Sequence, residues 1–457
     1  MSPRSSGRLP RRDVDVSTRL GNDAENPGGD RDAVATAISR ADAPGARMTA
    51  AGDEPAYTYE TPFSLFEGDR LSRLYAQLGM ARGTRLSLWK RCIGVAAFTY
   101  VPIALLALVD KSYGMGATPT NFFADFAAYI QLLVALPLFM ISERVMDWRT
   151  RDVATQLINC RIVRPDDVHR LEHAHRVIER VRKAWWPDLI CIVLAYWISL
   201  VILVPEFYGA HLGDSWHVRA YPHMRSITWA GIWAFFVALP VLNYVWLRFG
   251  AKIWLWVYYL WNVQKLELDL HPTHPDLNGG IGFISEAQGH FALFILAYGI
   301  SNIAAPVGYE IVILNYPSDV MTVWGPVLGF VIGAPILFTA PLFMFTRQLY
   351  WAKQHALDTY RARVTEHSRR IEGYWLANDR GIRFDDAEVR ELTELNTLNS
   401  MFSHIEKMHV VPLDWRSFLQ LTGSSFGSLA ALLTILQFDK HSADTFDLIG
   451  KVIEHFV

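Results

Sequence analysis

The feature that most constrains this chain of 457 residues is a series of apolar runs. A helix needs about 20 mostly apolar residues to span the hydrocarbon core of a bilayer. Six runs meet that requirement with at most one acidic residue each, and a seventh, rich in Gly and Ser, is a further candidate. The runs are 92–109, 122–142, 185–204, 226–247, 291–314 and 323–345, followed by 417–438. We therefore predict an all-α polytopic membrane protein rather than a soluble helical one.

Lysine and arginine are distributed unevenly among the segments that separate these runs. Residues 143–184 contain ten and residues 347–416 contain eleven, whereas 110–121 contains one, 205–225 two and 315–322 none. The positive-inside rule places the Lys- and Arg-rich segments in the cytoplasm. The pattern predicts a cytoplasmic N-terminus.

Composition also divides the chain into regions. The opening residues are rich in Arg, Asp, Gly and Ala, which is typical of a disordered tail. Leu65, Leu71, Leu74 and Leu78 follow near helical spacing and predict an amphipathic helix on the inner membrane surface. The predicted order is a tail (1–62), a six-helix membrane domain (63–346) with cytoplasmic loops at 143–184 and 248–290, a cytoplasmic helical domain (347–416), a seventh span (417–438) and a short amphipathic C-terminal helix (439–457).

The predicted cytoplasmic segments differ in character. The pattern of 143–184 predicts helix throughout. The stretch IWLWVYYLWNV (253–263) is apolar on all sides, so it either continues the fourth helix into packed protein or lies in the membrane interface. Two charged helices are predicted at 347–377 and 385–409.

Three of the runs share a pattern. VALPLFMISERVMDW (134–148), VALPVLNYVWLRFG (237–250) and TAPLFMFTRQLYW (339–351) each place a proline before an apolar run and a charged exit. The prolines are Pro137, Pro240 and Pro341. We interpret the first six spans as three helical hairpins, in which the second helix of each is kinked because proline removes a backbone hydrogen bond.

Polar groups within the runs are candidates for function, because ionisable residues in a membrane are costly. They are Asp125, Gln131, Asn243, Asn302 and Glu310. If all five face one interior, they line a polar path for an ion or a small solute. Asp125 and Glu310 fall near the outer ends of their helices, so the alternative is that both reach the interface.

The densest short stretch is HPTHPDLNGGIGF (271–283), for which the sequence leaves three interpretations open. His271, His274 and Asp276 could bind a divalent metal, although they are a fragment of a site. Gly279, Gly280 and Gly282 could form a backbone nest for an anion or a lipid headgroup. The third interpretation, which we favour, is a structured turn in which Asp276 caps and the glycines supply positive φ.

HPDLNGGIGF, together with LNTLNSMFSHIEKMHVVPLDWRSFLQL (395–421), resembles a family of bacterial multi-spanning inner-membrane proteins. Members of that family have a HPDxxGGxGF stretch at this place and an MxxVP step before a last apolar segment. The similarity covers roughly residues 63–457. The family is functionally uncharacterised, so the resemblance implies a seventh span and a bacterial inner (cytoplasmic) membrane but no activity.

These observations favour a channel or transporter for an ion or small solute. The alternative is a sensor or scaffold that signals through the cytoplasmic helices. An enzyme is not expected, because only 271–290 offers convergent His and acid groups. The expected partners are the lipid bilayer, anionic lipid at the basic loops and a second copy of the chain, with no nucleic acid. The sequence specifies no cofactor.

Overall fold

The computed structural model describes residues 64–65, 85–109, 122–208, 216–220, 225–312, 324–377 and 386–437. The predicted tail, the predicted amphipathic helix beyond Leu65 and the predicted C-terminal helix lie outside the described residues. Within the described ranges, almost all regular structure is helical, as the apolar runs predict.

The described helices are numbered here in chain order. They are α1 (Arg85–Val109), α2 (Phe126–Asn159), α3 (Val168–Lys183), α4 (Trp186–Tyr208), α5 (Trp229–Val263), α6 (Gly282–Val312), α7 (Gly325–Thr339), α8 (Thr346–Ala377), α9 (Asp386–Lys407) and α10 (Trp415–Gln437). A 3-10 segment, Ala340–Phe345, joins α7 to α8. Strands β1 (Val218–Ala220) and β2 (Arg225–Ile227) pair antiparallel before α5.

Seven stretches of helix are long and apolar enough to cross a membrane, as judged by length and composition. They are Leu88–Val109, Phe126–Asn159, Trp186–Val204, Trp229–Val263, Gly282–Val312, Gly325–Gly373 and Trp415–Gln437. Each corresponds to one of the predicted runs, including the Gly- and Ser-rich seventh. The fold is that of a helical integral membrane protein.

Helix α10, the seventh of the apolar helices, packs closely against α6 because small residues line the contact. A Cβ added to Gly299 of α6 would lie 2.5 Å from the Cβ of Ser428, which is closer than real Cβ atoms approach. A Cβ at Gly289 would lie 3.0 Å from the Cα of Ser417. Small residues allow membrane helices to approach closely, where dispersion contacts hold them together. The composition that made the seventh run unusual therefore provides its packing surface.

Prolines change the hydrogen bonding of three membrane helices. A π-helical turn precedes Pro137 in α2 (Ile130–Ala135) and Pro240 in α5 (Ala234–Ala238). A third π turn, Ile300–Ala304, precedes Pro306 in α6. A proline ring collides with the carbonyl four residues earlier, and a widened turn relieves that collision. Pro341 instead lies at the start of the 3-10 segment, so the third copy of the predicted repeat has a different geometry.

Helices α2 and α5 are longer than a bilayer is thick. They contain 34 and 35 residues, or about 51 and 53 Å, against a hydrocarbon core of roughly 30 Å. Near the end of α5, the side chains of Trp256 and Tyr259 are fully buried. Helix α5 continues through 253–263 without a break, as the first of the two interpretations predicts, and one face of the stretch is packed in protein while Trp254 and Trp261 on it are exposed.

The prediction that 143–184 is helical throughout is wrong. Helix α2 ends at Asn159 and α3 begins at Val168. Between them, Arg161 has a φ of 53°, and Val163 forms an isolated β-bridge with Leu268. The backbone N–H of Asp269 also donates to the carbonyl of Ile162 at 2.7 Å. The helix stops because contacts with the segment after α5 satisfy backbone groups that further helix would otherwise pair.

The three segments predicted as cytoplasmic meet at one end of the bundle, which we call the motif end because residues 271–283 lie there. Beyond the bridge just described, Gln348 of α8 donates to the carbonyls of Gln264 and Leu266 at 2.8 and 2.9 Å. Lys353 of α8 donates to the carbonyl of Met408 at 2.8 Å. The two helices predicted in this region are present as α8 and α9, and they pack side by side.

Candidate functional site

The stretch 271–283 folds around the side chain of Asp276. Its Oδ1 accepts hydrogen bonds from the backbone N–H groups of Asn278 at 2.9 Å and Gly280 at 3.1 Å. Its Oδ2 accepts from the N–H of Gly282 at 2.9 Å, and His274 Nδ1 lies 2.9 Å from Oδ1. The carboxylate of Asp276 thus occupies the backbone nest that the glycines form.

The pKa of Asp276 reflects this arrangement. Burial raises it, but the N–H donors of Asn278, Gly282 and Gly280 and the neighbouring His274 together lower it below its usual value. A lowered pKa means that folding stabilises the ionised form. The contribution to stability is therefore complete at neutral pH and is lost as pH falls through the folded-state pKa.

Tertiary contacts fix the same stretch from outside. The N–H of His409, just before α10, donates to the carbonyl of Leu277 at 2.7 Å. Leu277 has a φ of 57°, and Gly279 has a φ of 65°. The positive φ favours glycine at 279, and a Cβ there would also lie 3.0 Å from Met408 Cε, which would have to shift slightly. The turn connects α6 to the segment that leads into α10.

The structure bears differently on the other two interpretations of 271–283, the anion nest and the metal site. The anion nest exists, but the chain's own carboxylate fills it. For the metal, His271 Nδ1 lies 3.1 Å from the carbonyl of Asp269, whereas His274 faces Asp276. Within the described part of the chain, no group of three or more His, Cys, Asp or Glu side chains is arranged to hold a metal ion.

Of the five intramembrane polar residues, Asp125 is a structural cap. Its side chain is 6% exposed and accepts hydrogen bonds from the N–H groups of Ala127 and Ala128 at 2.9 and 3.2 Å. Its other oxygen accepts from Trp216 Nε1 at 2.9 Å. Asp125 therefore starts α2 and ties it to the segment before β1, instead of reaching the interface. Glu310, in the last turn of α6, is exposed.

Gln131 lies in the π turn of α2 and meets the π turn of α6. Its Nε2 donates to the backbone carbonyl of Ser301 at 3.0 Å. Ser301 itself is 1% exposed. A π turn releases carbonyls from the regular ladder, and a side chain from a neighbouring helix can then pair with one of them. The two irregular turns are thus joined by an interhelical hydrogen bond.

Asn302, next to Ser301, and Asn243 lie in further contacts from α6 through α5 to α4, in which the step from α6 to α5 is an edge contact between two aromatic rings. Asn302 Nδ2 donates to the carbonyl of Tyr298 at 3.4 Å, and the Tyr298 ring lies 5.3 Å from that of Trp246. Trp246 Nε1 donates to Asn243 Oδ1 at 3.1 Å, and Asn243 Nδ2 donates to Ser199 Oγ at 3.1 Å. We call this series of contacts, with Gln131 and Ser301, the polar string. It contains three of the five predicted residues, whereas Asp125 and Glu310 are not members.

The sequence analysis did not identify a cluster of charged side chains at the motif end. Glu143 Oε1 of α2 lies 3.1 Å from Arg248 Nη1 and 2.6 Å from Lys252 Nζ of α5. Both cations are almost fully buried. Two features of the sequence could have indicated it. Glu143 and Arg248 occupy the charged ends of two copies of the repeat, and Arg248 and Lys252 are four residues apart, on one helix face. Their attraction holds α2 against α5 where both helices leave the apolar region.

His175 gives the motif end a dependence on pH. Its ring stacks on that of Tyr259 at 5.4 Å, and burial lowers its pKa from 6.5 to about 4. The unfolded chain therefore takes up a proton near pH 6.5, whereas the folded chain does not until about pH 4. The stabilisation by neutral His175 is complete well above pH 6.5 and should fall by about 2 kcal/mol between pH 7.5 and 5.

This dependence can be measured by unfolding the purified protein at pH 7.5, 6.5 and 5. His175→Phe keeps an aromatic ring against Tyr259 and should remove that part of the loss. His173→Phe, at an exposed position on the same helix, is the matched control and should retain it. Equal pH dependence in all three proteins would contradict the assignment.

No family model, curated protein or solved structure matched this chain. We therefore infer its function from the contacts of its own residues.

Proposed function

We propose that this protein is a channel or transporter for an ion or small solute in a bacterial inner membrane, with the motif end in the cytoplasm. The observation that supports this role is the polar string, which crosses from α2 through α6 and α5 to α4. Polar groups are costly inside a membrane and are functional candidates for that reason. The resemblance of HPDLNGGIGF to an inner-membrane family agrees with the location.

The chemical groups of the polar string limit the classes of solute that it could conduct. Its side chains are amides, hydroxyls, an indole and a phenol, and none of its members is a carboxylate or a cation. Such groups replace water around a solute through hydrogen bonds rather than through full charge. The π turns at Ile130–Ala135 and Ile300–Ala304 add backbone carbonyls beside the string. We expect a small hydrogen-bonding solute or a partly dehydrated monovalent ion.

A flux assay on the full chain in liposomes tests the proposal. Gln131→Leu removes the donor to Ser301, and Asn243→Leu removes the link between α5 and α4. Each should reduce flux at least tenfold. Asn262→Leu is the matched control, because the Asn262 side chain donates to the Tyr258 carbonyl within its own helix, near the end of α5, and flux should persist.

Orientation is measured separately, in cells, through Cys160, which is exposed at the motif end, whereas Cys92 and Cys191 are buried. In intact cells Cys160 should react with a membrane-impermeant maleimide only after permeabilisation. Correctly inserted wild-type protein that carries no proton, monovalent ion or small polar solute at any pH would overturn the transport role.

A sensor or scaffold is the second candidate, and the long hairpin of α8 and α9 favours it. Helix α8 contains 32 residues, or about 48 Å, and is joined to α7 through the 3-10 segment Ala340–Phe345. Val389 and Met401 of α9 are exposed apolar residues. A protein without flux that cross-links to a cellular partner through positions 389 and 401 would support this role instead.

A further inference from the structure

A pocket at the motif end lies where α3, the start of α4 and α5 meet. Its volume is about 210 Å³, which is smaller than the roughly 300–1,000 Å³ of sites that enclose a drug-sized molecule. Arg182, Asp188, Arg248 and Lys252 contribute charged groups to a wall that is otherwise apolar. The pocket can therefore hold a small charged group but not a large ligand.

The charges of the pocket favour an anion. Three of the charged residues in its wall are cations, and one, Asp188, is a carboxylate. Glu143 is not among the lining residues but contacts both Arg248 and Lys252. Among the residues that the structure describes at this pocket, with Glu143 counted, three are cationic and two are anionic. Because Arg248 and Lys252 are almost fully buried, their attraction for an anion is weakly screened by water.

The cations also offer the donors that a phosphate group prefers. Arg presents five N–H donors in a planar fork, and Lys presents three, so each can bind an oxyanion while it contacts a carboxylate. Arg182, near the end of α3, lines the same pocket as the two cations of α5 and donates to the carbonyl of Ser64. An oxyanion between α3 and α5 would bridge helices that otherwise bring like charges together.

The surroundings of the pocket favour a lipid as the source of that anion. Trp186 and Trp254 line the pocket and are exposed, as indole rings at a membrane interface usually are. From Trp186 a stripe of exposed apolar residues continues along one face of α4 at helical spacing, through Ile190, Val193 and Trp197. A headgroup in the pocket would leave its acyl chains against this stripe.

We propose that the pocket is a binding site for a phosphate-bearing monoanion and that the headgroup of an anionic membrane phospholipid occupies it. This site is separate from the polar string, and its test requires no flux. Arg182, Arg248 and Lys252 hold the phosphate, Asp188 limits the site to a single negative charge, and α4 supports the chains.

Binding can be measured on the full chain, purified and delipidated in a neutral detergent. Short-chain phosphatidylglycerol, short-chain phosphatidylcholine and inorganic phosphate are titrated separately, and bound molecules are counted by native mass spectrometry. One phosphatidylglycerol should bind at least tenfold more tightly than phosphatidylcholine, because the choline headgroup is neutral overall. Inorganic phosphate, which lacks chains, should bind more weakly than phosphatidylglycerol and compete poorly with it.

Four variants separate the pocket from general attraction to a basic surface. Arg182→Gln should weaken phosphatidylglycerol binding about tenfold, the effect of losing one charge-assisted contact. Ala251→Leu fills the pocket without altering a charge and should abolish the tight site. Asp188→Asn raises the net positive charge and should strengthen binding. Arg164→Gln removes an exposed cation at the same end, paired with Glu267, and should change nothing.

The outcomes are decisive in each direction. Equal affinity for phosphatidylglycerol and phosphatidylcholine would overturn the anion site. Unchanged binding in both Arg182→Gln and Ala251→Leu, in protein that remains folded, would overturn the location. Inorganic phosphate that displaces phosphatidylglycerol at equal concentration would show that the site is for free phosphate and that the lipid is the wrong source.

Discussion

Replacing Asp276 with Ala should lower the free energy of unfolding by about 3–4 kcal/mol. The change removes the acceptor of three backbone N–H groups, and hydrogen bonds to a charged partner each contribute about 1.5–3 kcal/mol, of which partial exposure cancels some. It also releases the positive φ values of Leu277, Gly279 and Gly280. Chemical unfolding gives the total effect, and hydrogen exchange of 271–283 shows whether this stretch opens first.

Two matched variants make this result interpretable. Asp276→Asn keeps one oxygen that can accept the bonds from Asn278 and Gly280, so it should lose about half as much stability. Asp269→Ala removes an exposed carboxylate that makes none of these bonds and should have an effect below about 0.5 kcal/mol. If Asp276→Ala were as stable as Asp269→Ala, the carboxylate would not organise the turn and a ligand role would regain support.

Asp276 also shows how far the sequence could predict this site. The residue types in HPTHPDLNGGIGF indicate a turn with a cap and positive φ, and the structure has both. The same residue types allow an anion nest, and sequence cannot tell that the chain supplies the anion. That outcome depends on where one side chain points, and the contact between His409 and Leu277 that holds the turn joins residues far apart in sequence.

The membrane helices were predictable because their signal is local. An apolar run of sufficient length forms a helix whatever its neighbours are, since lipid cannot pair free backbone groups. Pro137 and Pro240 likewise indicate irregular turns within α2 and α5. The break between α2 and α3 has one local signal, Pro165, which starts the turn before α3, whereas the pairing of Val163 with Leu268 has no pattern in either segment.

The roles of the intramembrane polar residues could be predicted only in part. Sequence identified Gln131, Asn243 and Asn302 as unusual, and the structure places all three in the polar string. An Asp before a helix is a local signal for the cap that Asp125 forms, but the sequence could not indicate its second partner, Trp216, which lies far along the chain. Which polar groups meet across helices depends on helix rotation, and hydropathy does not report that angle.

Replacing Glu143 with Gln should destabilise the protein in neutral detergent by about 3–5 kcal/mol. The variant removes the carboxylate that pairs with two almost fully buried cations, and removing one partner of a buried ion pair typically costs about that much. Lys252→Met in the same chain should restore part of the loss, because one of the two cations is then gone. Thermal and chemical unfolding of both single variants and the double variant give the coupling energy.

Glu267→Gln is the control for the Glu143 variant, since it breaks an ion pair with Arg164 that is exposed on both sides and is worth at most about 1 kcal/mol. Anionic phospholipid should stabilise Glu143→Gln more than wild type, because a phosphate in the neighbouring pocket replaces the missing negative charge. A loss no greater than that of Glu267→Gln would mean that water or other groups compensate the two cations. The ion pairs would then not be what holds α2 against α5.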